Sequence, residues 1–348
     1  MKRTPLSLIA HWAGGELHGE DASIDAIGND SRTLAPGSLY LALRGERFDG
    51  HDFAASAVEN GASALLVERL LPLDVPQVVV ANAERALARI ATAMQRDRAT
   101  RVFAITGSNG KTSVKTLLLA ILQHVAMVEG RQVYATPGNR NNEIGMPLAV
   151  IDAPEDADFA IYEMGTGKPG DIAYLTAIAA PDVALVNNVA PAHLERMGSL
   201  LEIANTKAAV YDDLREGGVA VVNADDAFAP FFAERAGAHR VLRFGLEASA
   251  DVTASAIVLA AAGSRFRLHA PQGAADVALQ LPGRHNVLNA LAAASLALAA
   301  GIALPRVAEG LQQARPVAGR QVAHALPGGA VLVDDSYNAN PDSVRAAI

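Results

Sequence analysis

Two periodicities alternate along this chain. From the start to about residue 98, short apolar runs such as "SLYLALRG", "ALLVE" and "QVVVAN" read as strands. Between and after them, "DFAASAVENGA" and "AERALARIATAMQRD" carry apolar residues at helical spacing. "VFAIT" then runs into the glycine-bearing turn "GSNG", and the period changes to 3.6 in "SVKTLLLAILQHV". There Val114, Leu117, Leu118, Ile121, Leu122 and Val125 share one broad helix face. Strand-like runs follow in "FAIYEM", "DVALVNNV" and "GGVAVVNAD". "DVTASAIVL", "SRFRLHA" and "DVALQLP" predict an antiparallel extension, and "GRHNVLNALAAASLALAAG" predicts a helix stopping at Gly301. Past residue 317, "GGAVLVDDSYNANPDSVRAAI" offers one strand, an acidic turn and a first helical turn entered at Asn340-Pro341.

This alternation predicts an α/β protein with three parts: 1–98, a central 99–316, and 317–348 as the start of a third domain. With 348 residues, more than one core is expected. Charged residues make up 19% and the net charge is −8, which argues against nucleic acid or an anionic membrane as main partner. There is no cysteine, so disulfides and thiolate metal sites are excluded. The basic start "MKRTPLSLIAHWAGG" is broken by Pro5, His11 and Gly14 and reads as an ordinary first helix rather than a signal peptide. The longest apolar run, residues 289–304, is too short for a bilayer span. A cytoplasmic monomer is the expectation.

The turn after "VFAIT" carries the first chemistry. The common phosphate loop is G-x-x-x-x-G-K-[ST], and here Ile105 stands where its first glycine would be. A glycine turn between an apolar strand and an amphipathic helix still aims helix amides at an anion. Gly107 and Gly110 let backbone approach phosphate, Lys111 supplies a cation, and Thr112 offers a hydroxyl to Mg²⁺. An ordinary capped turn is the competing reading. It leaves Lys111 at the helix end where the dipole disfavours a cation.

Other candidates cluster at strand ends, where open α/β sheets collect ligands. Glu163 ends "FAIYE" and suits Mg²⁺ together with Thr112; a surface charge is the alternative. His193 follows "DVALVNNV" and suits either a metal or a hydrogen bond, while Lys207 reads as a solvated helix lysine on chemistry alone. Asp334 and Asp335 open a turn able to hydrogen-bond a sugar or base, or merely to cap a helix, and Arg320 could meet a phosphate.

Six segments carry a wider likeness in order: "TGSNGKTS", "GNRNNEIGMP", "YEMGTGKPGDI", "NNVAPAHLERMGS", "LPGRHNVLNALAA" and "DDSYNANP". Together they resemble the Mur ligases of peptidoglycan synthesis, over the whole chain. The "GNRNNEIG" and "DDSYNANP" forms resemble the branch that joins D-alanyl-D-alanine to UDP-N-acetylmuramoyl-tripeptide. The family uses the shortened phosphate loop. The resemblance implies a central P-loop ATPase-like, mostly parallel sheet, a small N-terminal α/β domain for the UDP-substrate, and a Rossmann-like C-terminal domain truncated here.

By the same resemblance, Gly107, Ser108, Asn109, Gly110, Lys111, Thr112 and Ser113 bind ATP, with Asn286 and Asn289 at the adenine. Arg320, Asp335 and Tyr337 match the third-domain side of the nucleotide site. Thr112 and Glu163 match the ligands of one Mg²⁺, and His193 that of a second. Lys207 falls on a lysine that many of these ligases carbamylate, where the carbamate helps hold that second ion. Lys111, Glu163, His193 and Lys207 form the implied catalytic set. "DSRTLAPGSLYLALRGERFDGHDF" is similar to the uridine-nucleotide segment, giving Ser31, Arg32, Thr33, Arg44 and Gly45, with Asn142, as substrate residues. The expected activity is ATP-driven amide formation through an acyl phosphate. With most of the third domain missing, this chain is expected to turn over slowly or not at all. Another Mur-type ligase, a P-loop kinase, or a non-catalytic nucleotide- and UDP-substrate-binding fragment are the alternatives.

Overall fold

Fully apolar runs of four to six residues form strands covered on both faces, and parallel sheets bury strands in that way. "ALLV" and "FAIYE" are buried at every position. In the computed structural model, residues 1–191, 197–320, 322–328, 330–337 and 344 are described. They form two compact units: residues 1–100, 136–157 and 177–179, and residues 101–135, 158–176 and 180–348.

Unit 1 opens with β1 (Thr4–Pro5) and helix α1 (Leu6–Ala13), which ends at Gly14 in the left-handed region. Strands β2 (Glu16–His18), β3 (Ser23–Ile24), β4 (Ile27–Gly28) and β5 (Leu39–Leu41) follow. Next come a 3₁₀ turn at Gly50–Phe53, α2 (Ala54–Glu59), β6 (Ala64–Val67), β7 (Gln77–Val79) and α3 (Ala83–Arg96). Asn82 caps α3 by accepting the Arg85 N–H at 2.8 Å. The sheet order is β2-β7-β6-β5-β4, parallel except for β2 against β7. Tyr40, Ala54, Ala57, Leu65 and Val67 form its core on one side. Leu6, Ile9, Leu87 and Ile90 are buried as well.

Unit 2 begins at β8 (Arg101–Thr106) and α4 (Lys111–Glu129), followed by β9 (Val133–Ala135). Helix α5 (Gly145–Asp152) belongs to unit 1, and β10 (Phe159–Glu163) resumes unit 2. Then come α6 (Asp171–Ala179), β11 (Val183–Val186), α7 (Leu200–Ala208), β12 (Val219–Asn223), α8 (Ala229–Arg235) and β13 (Arg240–Phe244). The six strands form an all-parallel sheet in the order β13-β12-β11-β8-β10-β9. The expected antiparallel extension is β14 (Thr253–Ala260), β15 (Gly263–Ala270) and β16 (Gly273–Leu279). Helices α9 (Arg284–Ala299) and α10 (Leu304–Gln313) follow, and β17 (Val322–Ala325) pairs antiparallel with β18 (Val331–Asp334). The mostly parallel central sheet and small α/β N-terminal unit agree with the expected α/β architecture.

The six residues predicted on one face of α4 are all buried, among α9, α10 and the sheet. Helix α10 approaches so closely that a Cβ on Gly310 would collide with the Ile121 backbone of α4. Replacing Gly310 with alanine therefore forces two helices apart, at a cost of about 1–3 kcal/mol. Urea denaturation of the Gly310→Ala variant should read that loss; unchanged stability would refute the close contact.

Candidate functional site

Strand β8 pairs in parallel with β10 and β11, so Thr106, Glu163 and Val186 all lie at carboxyl ends of neighbouring strands. Within that register Glu163 stands opposite Ile105. Ile105 is thus a buried strand residue, and the turn proper begins after Thr106. Gly110 forms the N-terminal cap of α4 at φ +77°, and a Cβ there would lie 2.6 Å from Asn187 Nδ2 and 2.7 Å from Asn289 Oδ1. Positive φ and close approach together require glycine.

The turn is held by amides that follow β11. The Asn109 N–H donates to Asn188 Oδ1 (2.8 Å), and Asn188 Nδ2 donates back to Asn109 O (3.1 Å). Asn187 Nδ2 donates to Asn109 O (3.0 Å) and to Asn289 Oδ1 (3.3 Å). Ser108 Oγ donates to Ala190 O (3.1 Å), while its own backbone N–H donates to Asn188 O (3.0 Å). Asn223 Nδ2 supports Asn187 O from the next strand (2.9 Å). A loop so cross-linked holds the start of α4 in a fixed direction, which is what an anion site at a helix N-terminus needs.

Beneath the loop, Glu163 is almost fully buried. Its Oε2 accepts from Thr112 Oγ1 at 3.1 Å and lies 3.1 Å from the Lys115 ammonium, which is itself buried. The surface-charge reading of Glu163 fails on this burial. Arg320 Nη2 donates to Thr112 Oγ1 at 3.0 Å, and the Tyr337 ring stacks on Arg320, 4.3 Å from the guanidinium carbon to the ring centroid. Lys111 Nζ donates to Gly107 O at 2.9 Å. Burial pushes the Lys111 ammonium below its ordinary value, Arg320 adds to that, and Glu163 opposes it. Lys207 is buried in α7 rather than solvated. Burial first, and then the charge of Lys111, push its ammonium well below the ordinary lysine value.

A cavity of about 260 Å³ opens beside the turn, lined in part by Asn109, Gly110, Ser113, Asn286, Asn289 and Asp335. Arg320 lines it too, so residues from the turn, α9 and the segment after β18 meet at one opening. Asp334 turns inward to its own backbone, accepting the Ser336 N–H at 3.1 Å. His193 and the expected helix entry at Asn340-Pro341 lie outside the described residues. The substrate residues Ser31, Arg32, Thr33, Arg44, Gly45 and Asn142 all fall in unit 1. Asn142 Oδ1 there accepts the Gly145 N–H at 2.8 Å at the start of α5.

Thr112 and Glu163 supply hard oxygen donors at one point, the kind Mg²⁺ takes when phosphate and water complete its shell. No group of three or more His, Asp or Glu side chains able to cage a metal occurs among the described residues. Thr112 and Glu163 together fit a cation whose remaining ligands are phosphate and water. Three residues here escaped sequence reading: Lys115, Asn187 and Asn188. Lys115 lies one helical turn beyond Lys111, a spacing that could have flagged it. Removing its charge takes the ion-pair partner at 3.1 Å away from a buried carboxylate. The Lys115→Met variant should lose about 3–5 kcal/mol in urea denaturation without ligand; a loss under about 1 kcal/mol would contradict a structural ion pair.

Residues 105–297 match the model of the Mur ligase middle domain, and residues 23–102 match that of the Mur ligase family catalytic domain. The UDP-N-acetylmuramoyl-tripeptide--D-alanyl-D-alanine ligase of Escherichia coli is 42% identical, over 99% of this chain and 75% of that protein. The crystal structure of MurF from Acinetobacter baumannii superposes with a TM-score of 0.94 at 34% identity, covering 99% of this chain and 76% of that one. MurF ligase from Thermotoga maritima, solved in complex with ADP, gives 0.81 at 30% identity over 92% of this chain and 73% of that one. Carrying the family's middle and N-terminal parts in order, the chain belongs to the Mur ligase family.

Proposed function

We propose that the chain serves an ATP-dependent amide ligase that joins D-alanyl-D-alanine to UDP-N-acetylmuramoyl-tripeptide in peptidoglycan precursor synthesis. The carrying observation is the convergence of Lys111, Thr112 and Glu163 under one glycine turn, beside a cavity walled by Asn286, Asn289 and Asp335. The activity of the Escherichia coli relative supports the substrates, and the ADP complex of the Thermotoga maritima relative supports the nucleotide. The division into parts 1–98, 99–316 and 317–348 is proposed with it.

In this reading the free carboxylate of the tripeptide attacks the γ-phosphorus of ATP, releasing ADP and leaving an acyl phosphate. The dipeptide amine then attacks the activated carbonyl, and the tetrahedral intermediate expels phosphate. Lys111 leaves the Gly107 carbonyl to follow the transferred phosphoryl group, and the turn amides bind its neighbours. Asn286, Asn289 and Ser113 flank the nucleoside, and Asp335, Arg320 and Tyr337 close its other side. Mg²⁺, held by Thr112 and Glu163, would neutralise phosphate charge between two mutually repelling anions. A second ion would use His193 and Lys207.

Lys207 fits carbamylation on physical grounds. Carbon dioxide adds to a free amine, and burial beside Lys111 disfavours the protonated form. The carbamate would also replace a repelling cation with an attracting anion. Incubation with ¹³C-bicarbonate should give a carbamate resonance that Lys207→Ala removes; an unchanged resonance would remove Lys207 from that role.

ADP release in the presence of the UDP-tripeptide should rise when D-alanyl-D-alanine is added. Release indifferent to the dipeptide would contradict ligation and favour a kinase or ATPase. Lys111→Ala should lower kcat by about 10²–10³-fold with unchanged thermal stability, the scale of losing one charge-stabilising donor. A normal kcat in that variant would refute its role.

A further inference from the structure

Helix α4 carries two lysines one turn apart, and the structure gives them different surroundings. Lys111, at the start of the helix, donates from Nζ to the Gly107 carbonyl at 2.9 Å, within the turn. Lys115, four residues on, meets a strand end instead: its ammonium lies 3.1 Å from Glu163 Oε2. The Lys115 side chain is 8% exposed and that of Glu163 is 4% exposed. The ligation chemistry gives this second lysine no task.

The oxygen that Lys115 approaches is the one that also accepts from Thr112 Oγ1, at 3.1 Å. The Thr112 hydroxyl in turn accepts from Arg320 Nη2 at 3.0 Å. Both groups suited to Mg²⁺ therefore face a protein cation. The two cations differ in how they are held. Arg320 lines the cavity, from a segment two hundred residues away in sequence. Lys115 is enclosed, on a helix whose neighbouring Val114, Leu117 and Leu118 are packed into the core. Moving α4 to carry that ammonium away from Glu163 would break this packing.

A divalent ion at Glu163 thus meets the ammonium as a like charge, in surroundings that screen it poorly. One carboxylate does not balance a lysine and a divalent metal together. Polyphosphate changes that sum, because its negative charge offsets both. Binding of the ion and binding of the nucleotide are thereby coupled, and such a coupling is reciprocal.

We propose that Lys115 is a resident counter-cation that makes metal capture by Thr112 and Glu163 depend on polyphosphate. The site then rejects a bare divalent ion and accepts one only with its nucleotide. This rests on the reading that Thr112 and Glu163 hold Mg²⁺, and it gives Lys115 a role beyond stabilising the fold.

The test is metal binding by the full chain without nucleotide. Electron paramagnetic resonance counts free Mn²⁺, which favours the same oxygen donors as Mg²⁺. Lys115→Met and Lys115→Gln should each tighten Mn²⁺ binding about tenfold or more, and adding Glu163→Gln should abolish the gain. By reciprocity, the increase in ADP affinity that Mg²⁺ produces should shrink in both lysine variants, as read by calorimetry. A purely structural lysine would lower stability and leave Mn²⁺ affinity unchanged, which would overturn the proposal. A gain that survives Glu163→Gln would overturn it too, by placing the ion elsewhere. If Mg²⁺ does not alter ADP affinity in the unmodified chain, the metal reading itself falls and the proposal with it. Should Lys115→Met fail to fold in a thermal melt, Lys115→Gln, which keeps a donor for the carboxylate, decides alone.

Discussion

One buried carboxylate organises unit 2. Glu163 ends a strand whose other residues are all apolar and buried, and its charge cannot reach water. A buried carboxylate must be paired and hydrogen-bonded or it costs several kcal/mol, so the structure brings Lys115 and Thr112 to it from α4. That requirement sets the start of the helix against the end of the strand. The turn between β8 and α4 is left to arch over the pair, and it needs Gly110 to do so. Arg320 then reaches Thr112 from a segment two hundred residues away. Among the described residues Lys111, Lys115 and Arg320 gather around Glu163 and Thr112, a balance that an anionic ligand would complete.

Much of this was legible from pattern. A buried strand, a glycine turn and a helix with one apolar face announce themselves by a change of period, and β8 and α4 follow it closely. The antiparallel extension was legible for the same reason. The short edge strands β9 and β13 were not, because a few half-buried residues carry no period. Lys115 was hidden by the opposite effect: one charge on an apolar helix reads as a side chain that escapes to solvent. Asn187 and Asn188 escaped because an amide that braces a loop has the same letter as one in any turn. Lys207 looked solvated for want of any sign that its helix face is buried.

The two units handle negative charge differently. In unit 2 the candidate anion-facing groups are backbone amides and lysines, and burial pushes the Lys111 and Lys207 ammoniums below their ordinary values. In unit 1 the candidate groups include the Arg32 and Arg44 guanidiniums, which stay charged, each beside a carboxylate. A site that only binds needs fixed charge and fixed direction. A site that moves a phosphoryl group must also let a cation change partners, and Lys111, whose ammonium donates to a loop carbonyl, can do so.

Acyl phosphate formation is the chemical claim on which the reading of Lys111, Thr112 and Glu163 turns. Labelling the reacting carboxylate of the UDP-tripeptide with ¹⁸O and following the released phosphate by mass spectrometry tests it most directly. The mechanism predicts one labelled oxygen transferred to phosphate for each amide formed. Phosphate free of label, with the amide still made, would contradict it.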